Sequence, residues 1–121
     1  ICFEVTETAA LLDRGQCRER IRRIKRLGCQ FALDDFGSGF SSFSYLRSLP
    51  VDYIKLDGSY TQGVAASATC RALAKAVIDV AHILGKQVIA EQVEERSDAM
   101  VLHQLGAEYG QGYLWGHPAP L

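Results

Sequence analysis

Five short segments read as strands, and on four of them a two-residue alternation puts a charge or an amide on one face near the strand's end. In Cys2–Thr6, Phe3 and Val5 oppose Glu4 and Thr6. In Tyr53–Leu56, Ile54 and Leu56 oppose Lys55, with Asp57 next on that face. In Gln87–Ala90, Val88 and Ala90 oppose Ile89, with Glu91 following. In Tyr109–Tyr113, Gln111 shares a face with Tyr109 and Tyr113. The fifth segment, Gln30–Leu33, runs into Asp34-Asp35. Successive strand side chains point to opposite faces. Strands of a doubly wound sheet are usually apolar on both. A polar face at the C-terminal end is what the inside of a β/α barrel requires, because barrel active sites are built on that rim.

Helical patterns separate the strands. Gln16 to Leu27 places Cys17, Ile21, Ile24 and Leu27 at helical spacing before Gly28. Ser67 to Leu84 places Leu73, Val77, Val80, Ala81 and Leu84 on one stripe before Gly85. Ser97 is positioned to cap a third helix with Met100, Leu102 and Leu105, ended by Gly106. A Gly/Ser-rich loop, Gly37 to Ser42, precedes a short helix near Phe43–Leu49. Strand–helix alternation means parallel strands covered by helices. No GxGxxG fingerprint follows the first strand.

Composition excludes several classes. A net charge of −1 offers no steering toward a nucleic acid polymer. The basic run Arg18 to Arg26 sits on an amphipathic helix and reads as a solvated face. Apolar runs of four residues or fewer fall far short of the roughly 20 that a membrane helix needs. The four cysteines form no CxxC pair and read as free thiols, and His82, His103 and His117 lack metal-ligand spacing. Trp115, Pro118 and Pro120 shape the chain exit. The sequence opens inside an apolar run, ICFEV, and its one methionine is Met100. A segment of a longer polypeptide is therefore expected.

The acids are unevenly placed. Glu4, Glu7, Asp34, Asp35, Asp57, Glu91 and Glu94, half of the 14 Asp and Glu residues, lie at or just past strand ends. Carboxylates gathered on one rim repel each other unless protonated or bridged by cations. Oxygen ligands suit Mg²⁺ or Mn²⁺ better than zinc. Asp34 and Asp35 would point to opposite faces of a regular strand, so a turn at the strand's end is needed for both to reach one site. Lys55 beside carboxylates becomes an ion-pair partner or a device for orienting water.

These residues resemble a known family. FEVTE at Phe3–Glu7, DDFGSGFSS at Asp34–Ser42, YIKLD at Tyr53–Asp57, VIAEQVE at Val88–Glu94 and GQGYLWGHP at Gly110–Pro118 are similar, in order, to the motifs of the EAL domain. That family hydrolyses the bacterial second messenger cyclic di-GMP. The resemblance implies a (β/α)8 TIM-type barrel, at about 250 residues twice this length. Residues 1–121 then correspond to its C-terminal half, strands four to eight with their helices. The Glu-Ala-Leu signature and an asparagine of the metal site belong to earlier strands. The resemblance further implies that Glu4, Asp34, Asp35 and Glu91 ligate two Mg²⁺ or Mn²⁺ ions, with Asp34 as the bridge. Lys55 contacts the nucleophilic water, Glu91 also serves as general base, and Gln111 lies near the attacking water. Glu7 anchors the Gly37–Ser42 loop, and Asp57 and Glu94 play supporting roles. One departure stands out: the commoner AEGVE reads AEQVE, with Gln92 in place of glycine, from which altered loop packing or substrate contact is expected.

The implied activity is metal-dependent hydrolysis of cyclic di-GMP to linear pGpG. The alternative is an inactive, EAL-type cyclic di-GMP receptor. Expected partners are an upstream GGDEF or sensor domain and a second copy in a homodimer, in a cytoplasmic protein. The isolated segment is expected to be catalytically silent, with unpaired edges on its outer strands, Cys2–Thr6 and Tyr109–Tyr113.

Overall fold

The computed structural model describes residues 2–6, 14–36, 50–112 and 119–121; at residues 2, 3, 5, 6, 14, 15, 17 and 34–36 it describes the backbone alone. Strands β1 (Cys2–Thr6), β2 (Gln30–Phe36), β3 (Tyr53–Leu56), β4 (Gln87–Ala90) and β5 (Tyr109–Gly110) pair in parallel, each with the next in sequence. Sequential order without a reversal is barrel topology; a doubly wound sheet reverses direction at a switch point. Helix α1 (Arg14–Lys25) joins β1 to β2. The four-residue α2 (Gly58–Thr61) and α3 (Ala68–Ile83) join β3 to β4, and α4 (Arg96–Leu105) joins β4 to β5.

The alternation read from the sequence sorts the two faces. Phe31, Leu33, Ile54, Leu56, Val88 and Ala90 point outward and are buried, with Ile54, Leu56, Val88 and Ala90 inaccessible, in one core with Ile21, Ala74, Val77, Ile78, Ala81 and Leu102. Each large aliphatic side chain so buried contributes roughly 1.5–3 kcal/mol. On the opposite face Glu4, Gln30 and Gln87 are exposed. Tyr53 and Tyr109 meet there edge to face at 6.0 Å, reaching across β4, as side chains on a concave surface do.

The expected elements need some correction. Strand β2 does not end at Leu33 but continues through Phe36. Strand β5 spans two residues rather than five, so Gln111 lies just past it. Its outer edge is not open, because β6 (Ala119–Pro120) pairs with it antiparallel. Ser67 caps α3, its hydroxyl accepting from the Cys70 amide at 3.2 Å, whereas Ser97 lies inside α4, whose N-cap is Glu95. Leu27 is 81% exposed because α1 stops at Lys25 and the chain turns. Leu73 and Met100 are also exposed. At 100° per residue Leu73 lies a quarter-turn off the Ala74–Val77–Ile78–Ala81 stripe, and Met100 faces away from Leu102. The short helix expected at Phe43–Leu49 lies outside the described residues. No described helix is long and apolar enough to cross a membrane.

Candidate active site

Lys55 is the centre of the inner rim. Its side chain is 3% exposed, and its Nζ donates to Glu4 Oε1 at 2.5 Å. Glu4 lies on β1 and Lys55 on β3, two strand spacings apart, roughly 9–10 Å. Glu4 pairs with Ala32 on β2, and Ala32 pairs with Tyr53 on β3. Ala32 is thus the inward-facing β2 residue beside Glu4, one inward position before the one that faces Lys55. Its methyl group leaves room for the lysine stem to lean across β2. A buried ammonium is tolerated only when paired, and Glu4, half exposed, supplies a partner.

Asp34 and Asp35 stand opposite Lys55. Leu33 pairs with Ile54 and Phe36 with Leu56, so two residues of β2 face the single Lys55 of β3. This is a β-bulge, which inserts one residue, bends the strand and breaks strict alternation. The turn expected at the strand's end is therefore a bulge inside a longer strand.

Glu91 follows the last residue of β4, and its main chain is tied at both ends to the β3–α2 segment. Its amide donates to Leu56 O at 3.0 Å, and its carbonyl accepts from Thr61 Oγ1 at 2.6 Å. Gln92 has φ +54°, the left-handed region that glycine adopts without cost. That conformation accounts for glycine as the commoner residue there. The Gln92 side chain lies over Gly58, where an added Cβ would come within 1.7 Å of Oε1. The expected change in loop packing is therefore a contact between two rim loops. Gln111 continues the tie: its amide donates to Ala90 O at 2.8 Å and its carbonyl accepts from the Val93 amide at 2.9 Å. Its side-chain Oε1 is buried and has no hydrogen-bond partner among the described residues.

Asp57 caps α2, accepting from the Ser59 amide at 3.0 Å and the Ser59 hydroxyl at 2.6 Å. Glu94 is exposed on the loop after β4. Glu7 and the loop it was expected to anchor lie outside the described residues, as do the side chains of Asp34 and Asp35. Among the described residues no three His, Cys, Asp or Glu side chains gather as a metal-ligand set. The structure thus joins Glu4 with Lys55, sets the Asp34-Asp35 backbone opposite Lys55, and links Glu91 with Gln111 through the main chain. Thr61 and Gly58 were missed by sequence reasoning: a four-residue helix has no periodicity to reveal it. Asp98 was also missed. It is buried and accepts from the amides of Gly63 and Ala65 at 3.2 and 3.0 Å, while Arg71 donates to the carbonyls of Val64 and Ala65. Together they clamp the turn that follows α2.

A parallel arc with acids and a buried lysine on its C-terminal rim defines a β/α-barrel domain whose site lies at that rim. The chain belongs to the EAL domain family, whose model matches residues 1–118. Among curated relatives, the cyclic di-GMP phosphodiesterase PdeB of Shewanella oneidensis is 46% identical over 121 residues, which are 100% of this chain and 14% of that protein. Among solved structures, the EAL domain of Mycobacterium smegmatis DcpA superposes with a TM-score of 0.87 at 35% identity, covering 98% of this chain and 53% of that one. Klebsiella pneumoniae BlrP1, in a complex with manganese and cyclic di-GMP, gives 0.85 at 32% identity, covering 98% and 30%. The chain thus spans a small fraction of its curated relatives and about half of an EAL domain, and its strands are an arc of the (β/α)8 barrel.

Proposed function

We propose that residues 1–121 form the C-terminal half of a cyclic di-GMP phosphodiesterase domain that opens its cyclic substrate to linear pGpG. The observation that carries this reading is the buried Lys55, paired diagonally across β2 with Glu4 and facing the Asp34–Asp35 bulge on the inner rim. The naming of the relatives as cyclic di-GMP phosphodiesterases supports it.

The donor set fits hard divalent cations: Glu4, Asp34, Asp35 and Glu91 offer only carboxylate oxygens, the preference of Mg²⁺ and Mn²⁺. The bulge relaxes the alternation that would otherwise separate Asp34 from Asp35. When bound, such ions lower the pKa of a water and neutralise charge building on the phosphate. The chain's own residues do the rest. Lys55, held in place by Glu4, orients the attacking water. Glu91 accepts the water's proton as the new P–O bond forms and the bond to the ribose 3′ oxygen breaks. That oxygen leaves as a hydroxyl, taking its proton from solvent water, and Glu91 returns its own to solvent. The Oε1 of Gln111, which has no hydrogen-bond partner among the described residues, suits a hydrogen bond from the same water. Glu7 anchors the Gly37–Ser42 loop, and Asp57 and Glu94 support the rim loops.

On the same reading the parent is a cytoplasmic multidomain regulator with a GGDEF or sensor domain upstream, able to form a homodimer. The 14–18% of the first relatives' lengths that this chain spans supports a multidomain parent. The segment alone is inactive, because the domain's other metal ligands lie on earlier strands. The test is turnover of cyclic di-GMP by the full-length protein with Mg²⁺ or Mn²⁺, following pGpG by anion-exchange chromatography. Asp34→Asn should abolish turnover. Near-normal turnover by that variant overturns the bridging role, and tight cyclic di-GMP binding without any pGpG from the wild type identifies a receptor instead.

A further inference from the structure

We infer that Thr61 is a positioning residue for Glu91, acting through the glutamate's own peptide. The inference rests on the reading of Glu91 as a site residue. Thr61 is the last residue of α2 and is fully buried. Its hydroxyl has one proton and two carbonyls in reach, Glu91 O at 2.6 Å and Gly58 O at 3.3 Å. The Gly58 carbonyl already accepts from the Gln62 amide at 3.0 Å. The proton therefore goes to Glu91.

The consequence is a clamp. Glu91 lies just past the end of β4, where the parallel ladder makes its last bond to β3. Its amide is held by Leu56, the neighbour of Lys55, and its carbonyl by Thr61. The next residue, Gln92, lays its side chain over Gly58. The peptide that carries Glu91 is thus gripped by Leu56, Gly58 and Thr61, all on the segment that also carries Lys55. The two groups proposed to handle the attacking water are fixed to one another through one to six residues of backbone rather than through separate loops. Misplacement of a reacting group by about 1 Å can cost roughly 100-fold in rate, so a tie of this kind is read in turnover before it is read in folding.

The test uses the full-length protein. Thr61→Val keeps the shape and removes the donor to the Glu91 carbonyl; Thr61→Ser keeps the hydroxyl. The expected result is a kcat lowered about tenfold or more in Thr61→Val, with KM for cyclic di-GMP changed by less than about threefold, and near-wild-type kinetics in Thr61→Ser. Hydrogen exchange at the Glu91 amide, which keeps its own bond to Leu56 O, should speed up roughly fivefold in the valine variant alone, because the opening that frees it no longer breaks the Thr61 bond to the Glu91 carbonyl. In a double-mutant cycle with Glu91→Gln, the Thr61→Val loss should largely vanish, because it acts through the carboxylate. Wild-type kcat and exchange in a folded Thr61→Val, or a loss fully additive with Glu91→Gln, overturns the inference. If the valine variant does not fold, Thr61→Ala supplies the same contrast with serine and is judged by the same outcomes. Wild-type turnover by Glu91→Gln alone would instead overturn the proposed role of Glu91.

Discussion

Gly112 should be the least replaceable glycine of the described rim, and the structure lets the cost be worked out. It follows Gln111 and packs against the main chain of Val93, two residues past Glu91. A Cβ built on Gly112 would lie 2.4 Å from Val93 O, 2.6 Å from its N and 2.9 Å from its C. Ordinary carbon contacts are roughly 3.5–4 Å, so the overlap is about 1 Å against backbone that cannot rotate away. Overpacking of this kind costs about 1–3 kcal/mol. The φ of +153° adds roughly 1–2 kcal/mol for any residue with a Cβ. Reduced freedom of the unfolded chain returns about 0.5–1 kcal/mol, leaving Gly112→Ala destabilised by about 3 kcal/mol. Gly63→Ala is the control: φ is +81° and nothing lies within 4 Å of an added Cβ, so only the conformational term, about 1 kcal/mol, applies. Urea unfolding of the intact domain should separate the two midpoints by about 1 M, for a slope near 2 kcal/mol/M. The Val93-to-Gln111 hydrogen bond should be lost in Gly112→Ala, with turnover falling alongside stability. If the two variants unfold within about 0.5 kcal/mol of each other, the close approach of the two loops is not what requires glycine, and the argument fails.

Ala32→Leu, at the buried inward position beside Glu4, should crowd the Glu4–Lys55 pair, costing about 1–3 kcal/mol in unfolding experiments and most of the turnover; wild-type turnover would show that the pair is dispensable. Asp98→Ala strips two amides of the turn after α2 of their acceptor and should cost about 2 kcal/mol by thermal unfolding, with Asp98→Asn retaining about half; equal losses would argue against the hydrogen bonds. Lys86 is buried and donates to Val51 O at 3.1 Å, and burial, with Lys25 nearby, pulls its pKa below the ordinary 10.5, Asp52 pulling partly back. The folded state therefore holds fewer protons than the unfolded chain just below pH 10.5. The stability of wild type relative to Lys86→Met should rise as pH climbs toward that value, and a flat or falling difference rejects the reasoning.

Much of the barrel was legible because it depends on local alternation. Ile54, Lys55 and Leu56 announce two faces by themselves, and Gly28, Gly85 and Gly106 announce helix ends. The bulge at Asp34-Asp35 was not legible, because it exists only relative to the register of β3, some 20 residues away. Leu73 and Met100 read as inward because they are apolar, yet the buried stripes run through Ala74, Val77, Ile78 and Ala81 in one helix and Leu102 in the other. Asp98 reads as a surface acid until the turn at 62–66 is brought over it. At Gln92 the sequence showed that something was unusual; only the backbone angle shows why glycine is the easier choice there.

The division of the strands into two faces also guards against mispairing. A one-residue slip of β3 would carry Lys55 beneath the helices, where Ile54 and Leu56 now pack, and turn those two side chains toward the site. An unpaired ammonium in that layer would cost several kcal/mol, and the aliphatic burial would be lost in the same step. The correct pairing is therefore separated from its nearest competitors by the very residue proposed to orient the water, so that Lys55 helps select the register in which it can be used.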